Sequence, residues 1–335
     1  MKAPSADHGN HEFARLAGPF RRELKLHCYR MLSSVHEADD LVQETYLRAW
    51  CNFHTFDGIG SIRAWLYRIA TNACLNALAA RKSAQRLLPD QLAPPAGGIP
   101  GAPATDVAWL EPLPDTDLEG VADQAPSPEA RYASRQAVQL AFVASIQRLP
   151  PRQRAGLLLC DVLGWTAAET AALLGGSTTS INSALQRARE TLAIRFPDGH
   201  PSVLERPGPA HQALLGRYLT AWEGHDIEGF VALLKEDAAV TMPPWLQWLA
   251  GREAVRSFFS MLWKTCAGLR LVPTAANAQP AFAVYERDAT VGIWSAHSIQ
   301  VLTLGPDAIS ALTLFVDPRL FGAFGLPLIL PDEGA

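Results

Sequence analysis

With 335 residues, 48% of them apolar, the chain can bury two or three cores, and its five scattered cysteines, never spaced Cys-x-x-Cys, exclude a disulfide framework and a zinc knuckle. No apolar run approaches the roughly 20 residues of a membrane span, and the polar start from Met1 to Asp7 lacks the form of a signal peptide, so a cytoplasmic protein with reduced, mostly buried thiols is expected. The net charge of −4 excludes a uniformly basic nucleic-acid binder, yet residues 1–82 carry eleven Lys and Arg against eight Asp and Glu, and residues 129–195 carry eight against four.

In chain order, residues 36–50 come first as a strongly two-faced helix. Ala38, Leu41, Val42, Thr45, Tyr46 and Ala49 recur at helical spacing, while Glu37, Asp39, Asp40, Gln43, Glu44 and Arg48 form a polar, mostly acidic side. Ser34 followed by Glu37 predicts a capping box. From Ser61 to about Lys82, Ile62, Trp65, Leu66, Ile69 and Ala73 make a second apolar face, with Ser61 as the N-cap. Arg68, Asn72 and Asn76 share one stripe of its polar side; these side chains suit base edges, and the loop Thr55-Phe56-Asp57-Gly58-Ile59-Gly60 can receive an unstacked base. An ordinary helical core segment is the competing reading.

Residues 83–128 hold nine prolines and one Arg against seven acids, which predicts a linker. Its apolar knot, Trp109-Leu110-Glu111-Pro112-Leu113-Pro114-Asp115, either docks or stays free. Leu149-Pro150-Pro151 then opens a helix running to Gly164, a residue suited to a left-handed end. Thr166 and Glu169 predict a capping box for residues 167–174, and Gly175-Gly176 permits a sharp turn. The next helix buries Ile181, Leu185, Ala188 and Leu192, turns Thr178, Thr179, Asn182, Ser183 and Gln186 outward, and offers Arg187, Arg189 and Arg195 to phosphates. This is a helix-turn-helix pattern, although periodicity alone fits a bare helical hairpin equally.

The wording of three segments is more specific. Asp39-Asp40-Leu41-Val42-Gln43-Glu44-Thr45-Tyr46-Leu47-Arg48-Ala49-Trp50 resembles the helix with which sigma-70 family factors grip the coiled coil of the RNA polymerase clamp. The helix after it resembles the −10 recognition part of an extracytoplasmic-function sigma factor. Leu149-Pro150, Gly164-Trp165-Thr166-Ala167-Ala168-Glu169 and Ser183-Ala184-Leu185-Gln186-Arg187-Ala188-Arg189 are similar to the −35 recognition domain of the same group. The resemblance implies polymerase contacts at Asp39, Asp40, Gln43, Glu44 and Arg48. It implies DNA contacts at Arg63, Arg68, Asn72, Asn76, Thr178, Thr179, Asn182, Ser183, Gln186, Arg187 and Arg189, with Arg81 and Lys82 also near phosphates. Many family members carry Lys or Arg where this chain has Asn182, so the docking mode is implied more firmly than a −35 sequence. The absence of a third helical domain before the helix-turn-helix is similar to the extracytoplasmic-function layout. Asp106, Glu111, Asp115 and Asp117 either mimic nucleic acid in the polymerase channel or simply solvate the linker.

Residues 209–335 carry eight basic against twelve acidic side chains and change style. Short amphipathic helices at 214–222, 230–234 and 251–263 precede alternating runs at 281–287, 291–302 and 309–315, an α+β order. Met242-Pro243-Pro244-Trp245, Gly251-Arg252-Glu253-Ala254-Val255 and the end from Phe315-Val316-Asp317-Pro318 resemble a SnoaL-like (nuclear-transport-factor-two-like) extension. That fold implies a cone whose pocket Trp222, Trp245, Trp248, Tyr285, Trp294 and His297 line, a core or interdomain surface being the alternative. Related cyclases use an acid or histidine as proton shuttle, which singles out Asp237, His297 and Asp317 for weighing; a strand histidine, a turn and a residue before proline are the plainer readings. No metal pair or nucleotide loop is expected, His8 and His11 included, and no cofactor.

The expected architecture is multidomain. Two all-α domains, sigma-70 region 2 (10–83) and helix-turn-helix region 4 (129–196), are joined by the acidic Pro-rich linker (84–128). A second linker (197–208) leads to an α+β cone-shaped SnoaL-like domain (209–328). The expected function is a non-enzymatic sigma factor with core RNA polymerase and promoter DNA as partners, no membrane, and a regulatory C-terminal domain contacting the first two. Alternatives are a C-terminal sensor or cyclase-like enzyme, and a polymerase-independent helix-turn-helix regulator.

Overall fold

The computed structural model describes residues 6–56, 61–81, 83, 85–121, 136–195 and 208–331. Its first helices follow the periodicities: α1 (Ala6–Ala17), α2 (Arg21–Leu32), α3 (Val35–Cys51) and α4 (Ile62–Ala80). Ser33 takes a left-handed φ of 53°, and Ser34 caps α3 by accepting from the Glu37 amide at 3.2 Å. The Glu37 carboxylate does not complete the expected box, because Arg81 and Arg86 take it instead. Ser61 makes no side-chain cap, so α4 starts on the backbone bond from Trp65 to the Ser61 carbonyl. Leu24, Cys28, Tyr29, Leu32, Val42, Leu66, Tyr67 and Ala70 fill the core among these helices.

The next helices are α5 (Leu140–Ile146), α6 (Pro151–Leu157), α7 (Ala167–Leu174) and α8 (Thr178–Arg195). The helix expected to reach Gly164 departs from α geometry after α6. Leu158–Val162 forms a π turn, closed by bonds such as that from the Leu163 amide to the Leu158 carbonyl. Gly164 has φ 72° and Gly175 φ 67°, as their positions demand. The Thr166–Glu169 capping box is present in full. Ser177 and Ser180 exchange side-chain bonds across the start of α8, each hydroxyl accepting from the other's amide.

The described helices up to residue 86 and those between residues 117 and 195 belong to one compact unit. Arg154, fully buried, fastens them: Nε donates to the Ile146 carbonyl at 3.0 Å, Nη2 to Gln147 and Leu149 at 2.8 and 3.2 Å, and Nη1 to the carbonyl of Met31 on α2. Arg30 of α2 returns the contact, donating to the Ala137 carbonyl at 3.2 Å, and Gln147 donates to the Arg30 carbonyl at 3.3 Å. The Trp165 ring lies 5.6 Å from that of Tyr67.

The second unit joins the described residues from Gly208 onward with Leu87–Thr116, so most of the segment expected to be a free linker is structured. Leu87 pairs with Trp109, and Leu110 and Leu113 of the apolar knot are buried. Donors on the folded domain hold its backbone: Trp248 Nε1 reaches Ala93 O at 2.8 Å, Gln247 reaches Gly98 O at 2.7 Å, and Trp245 Nε1 reaches Gly101 O at 2.9 Å. Asn277 both donates to and accepts from Leu113, each at 2.9 Å. A segment too poor in apolar residues for its own core is ordered by having its backbone groups bonded.

The rest of this unit is α9 (Pro209–Glu223), α10 (Ile227–Ala232), α11 (Arg252–Leu262) and α12 (Leu320–Ala323), with strands β1 (Leu234–Thr241), β2 (Trp248–Ala250), β3 (Leu269–Ala276), β4 (Gln279–Arg287), β5 (Trp294–Leu304), β6 (Ile309–Phe315) and β7 (Ile329–Leu330). The sheet order is β2-β1-β6-β5-β4-β3, with β7 on β5 and only β1–β6 parallel. The alternating runs predict neither β1 nor β3, since charges crowd the start of β1 and Pro273 interrupts β3. An edge position lets β3 keep its proline. Asp237, expected in a turn, lies exposed in β1 where its register with β6 shifts. Tyr218, Trp222, Phe230, Phe259, Trp263 and Phe282 pack in ring contact between helices and sheet.

Candidate functional sites

The polar side of α3 is exposed as its spacing requires, but its charges are unequally available. Asp40 and Gln43 face solvent. Asp39 is paired at 2.9 Å with Lys25, which also holds Asp117 at 2.8 Å; burial would lower the Lys25 pKa, but these two carboxylates hold it raised. Glu44 and Arg48 are bound to one another at 2.5 Å. Two residues outside the expected set complete this surface: Leu47 is 63% exposed, and Trp50 is 37% exposed beside Phe13. Both are apolar residues off the buried stripe, a signal present in the sequence.

On α4, Arg68, Asn72 and Asn76 are all exposed and, at i, i+4 and i+8, share one face. Arg63 is elsewhere: it donates to Glu23 at 2.8 Å and lies 5.0 Å from the Tyr67 ring centre. Burial would lower its pKa, yet the Glu23 bond keeps it raised. Arg81 is likewise held by Glu37, so neither guanidinium stands free for phosphate. Lys82, residues 57–60 and the Arg195 side chain lie outside the described residues.

On α8, Thr178, Thr179, Asn182, Ser183, Gln186 and Arg187 are exposed, while Ile181, Leu185, Ala188 and Leu192 are buried. Gln186 donates to Glu190 at 3.0 Å. Arg189 grips Asp161 of the π turn with two bonds of 2.9 and 2.6 Å, and that pairing raises its pKa. Between α4 and α7 runs a cleft of about 900 Å³, lined by Thr55, Phe56, Ser61, Arg63, Trp65 and Arg68 on one side and by Leu163, Trp165, Glu169 and Leu173 on the other.

The six aromatic and histidine positions expected to line a C-terminal pocket each have a different set of partners. Trp222 is part of the ring-packed core, and Trp245 and Trp248 hold the linker backbone. Tyr285 packs on Phe321 and donates to the Pro327 carbonyl, and Trp294 lies beneath Arg270. His297 sits at the β4–β5 register shift, 4.0 Å from Glu286, with its pKa lowered by burial. Asp317 is bound by Arg319 at 2.7 Å. All five cysteines are free; Cys28 and Cys74 are buried, Cys160 and Cys266 half-buried and Cys51 exposed, so the thiols are not mostly buried as expected. Among the described residues no helix is long and apolar enough to cross a membrane, and no three His, Cys, Asp or Glu form a metal-holding group.

Comparison with known proteins finds three family matches along the chain. Family profiles match as Sigma-70 region 2 over residues 16–84, Sigma-70, region 4 over 139–192, and SnoaL-like domain over 215–313. The chain is 42% identical over 329 residues to the ECF RNA polymerase sigma factor SigG of Mycobacterium tuberculosis, covering 96% of this chain and 86% of that protein. It is 28% identical over 222 residues to SigJ of the same organism, covering 66% and 62%. The crystal structure of Mycobacterium tuberculosis SigJ is similar in fold at a TM-score of 0.60 and 22% identity, covering 92% of this chain and 98% of that one. The chain therefore belongs to the extracytoplasmic-function RNA polymerase sigma factors, and its sigma regions are fused to a SnoaL-like domain.

Proposed function

We propose that this sigma factor binds core RNA polymerase through α3, reads the −10 element with the α4 stripe and the −35 element with α8, and directs promoter-specific initiation in the cytoplasm. The observation that carries this reading is the α3 surface, where exposed Leu47 and Trp50 lie beside Asp40 and Gln43. An apolar pair inside an acidic rim suits a protein partner better than DNA. The chain performs no covalent chemistry. Strand opening draws on capture of an unstacked base, worth about 1–3 kcal/mol per stack, with polymerase contacts supplying the rest.

Successive turns of duplex are about 34–36 Å apart, so elements more than two turns apart lie about 70 Å from each other. With Trp165 against Tyr67, regions 2 and 4 are too close to read both. Promoter binding thus requires the Arg154 contact to part, and the C-terminal domain, which holds the linker, regulates that step. Run-off transcription with purified core polymerase tests the assignment: site-specific transcripts dependent on this protein are expected. Operator binding without polymerase, and no transcripts with it, would replace it with a stand-alone regulator.

A further inference from the structure

We propose that the cleft between regions 2 and 4 is a nucleotide-binding site whose occupant holds the two regions together. Its volume of about 900 Å³ falls in the range of about 300–1,000 Å³ of small-molecule sites. Phe56 and Trp65 supply half-exposed rings on the region 2 wall, 5.5 Å apart and inclined at 37°, and Trp165 supplies another on the region 4 wall. Flat aromatic surfaces on two sides of one cleft suit a nucleobase, because every base has a face to stack.

The cations decide the rest of the ligand. Arg63 is committed to Glu23, but Arg68 is exposed and, among the described residues, has no hydrogen-bond or ion-pair partner. It is placed to take a phosphate. Glu169 on the opposite wall stays ionised, but its Oε2 accepts from both the amide and the hydroxyl of Thr166, which ties the carboxylate to the start of α7. A purely apolar guest would leave Arg68 unused, and inorganic phosphate would leave the rings unused. A nucleotide uses both, whether free in solution or an unstacked residue of a DNA strand.

A guest touching both walls binds the closed arrangement alone. At a concentration 100 times its Kd it therefore raises the ratio of closed to open molecules about 100-fold. That this represses transcription rests on the promoter-reading role given above to α4.

The test is calorimetric titration of the full-length protein, without polymerase, using adenosine monophosphate, guanosine monophosphate and a short single-stranded oligodeoxynucleotide, with solution scattering to follow closure. Trp165→Ala is expected to weaken binding about 5- to 150-fold, the loss of one stack, and Trp165→Phe to restore most of it. Arg68→Ala should weaken the nucleotides but not adenosine. Saturation by a mononucleotide identifies a free metabolite as the source; saturation by the oligonucleotide alone identifies a DNA strand. Absence of binding by every probe overturns the site. So does binding that Trp165→Ala leaves unchanged, which would put the guest on region 2 only and leave the promoter reading intact. Successful titration with no polymerase-dependent transcripts would sink the promoter reading and leave the site standing.

Discussion

Replacing Arg154 should separate the two DNA-reading regions. Its guanidinium donates to four carbonyls, those of Ile146, Gln147 and Leu149 within region 4 and that of Met31 in region 2. Bonds from a charged group are worth about 1.5–3 kcal/mol each, so these would reach about 6–12 kcal/mol if simply added. Burial, and then the neighbouring Arg81, pull its pKa down, so desolvation takes back several kcal/mol. A net loss of about 3–5 kcal/mol is expected for Arg154→Ala, from buried carbonyls left without a donor and the cavity left by the side chain. With a urea slope of about 2 kcal/mol per molar, the midpoint falls by about 2 M. Helical circular dichroism in urea reads this, and solution scattering should show a larger radius of gyration. Arg154→Met, which retains much of the volume, should recover part of the stability but not the closed contact. A midpoint within about 0.3 M of the parent, or an unchanged radius, would refute the assignment of Arg154 as the fastening.

Four further outcomes follow from the same structure. His27 is buried against Thr71 at 2.9 Å with its pKa lowered to about 3 by burial, then by Arg30 and Arg63. Because the unfolded chain takes up the proton first, stability should fall by about 2 kcal/mol from pH 7 to pH 5, and His27→Gln should flatten that dependence in pH-resolved melts. Arg187→Ala should reduce the slope of log affinity for promoter DNA against log salt by about 0.9, whereas Arg189→Ala should leave the slope unchanged and cost at most about 1 kcal/mol of stability. Leu47→Ala with Asp40→Arg should weaken binding to core polymerase at least about tenfold by surface plasmon resonance, from lost apolar burial and reversed charge. Trp248→Phe removes the bond to Ala93 O at a cost of about 1 kcal/mol, and should speed protease cleavage near residues 93–104.

Helices carrying a clear period and explicit punctuation are legible in the amino-acid order itself: α3, α4, α7 and α8 follow from apolar spacing, Thr166–Glu169 and the glycines. Side-chain partners are not. Arg63, Arg81 and Arg189 look like phosphate ligands in sequence, but Glu23, Glu37 and Asp161 claim them through contacts of 28 to 44 residues' separation. Periodicity reports which way a residue points and is silent on what meets it. The same limit hides the ordering of the Pro-rich segment, whose bonds come from Trp245, Gln247, Trp248 and Asn277 far along the chain. In the C-terminal domain, aromatic residues suggest a lined pocket, and one of them, Trp222, is part of the packed core while Trp245 and Trp248 bind the Pro-rich segment.

The loop closed where Leu87 meets Trp109 has a further effect on reach. Each residue gathered into it removes up to about 3.5 Å from the leash between regions 2 and 4. While Trp248 and its neighbours keep that slack stored the leash is shorter, and on the proposed reading promoters with wide spacers would be used less. On the promoter reading proposed above, letting the loop out would lengthen the leash without any change in either reading head, and spacer tolerance would then be set from outside them.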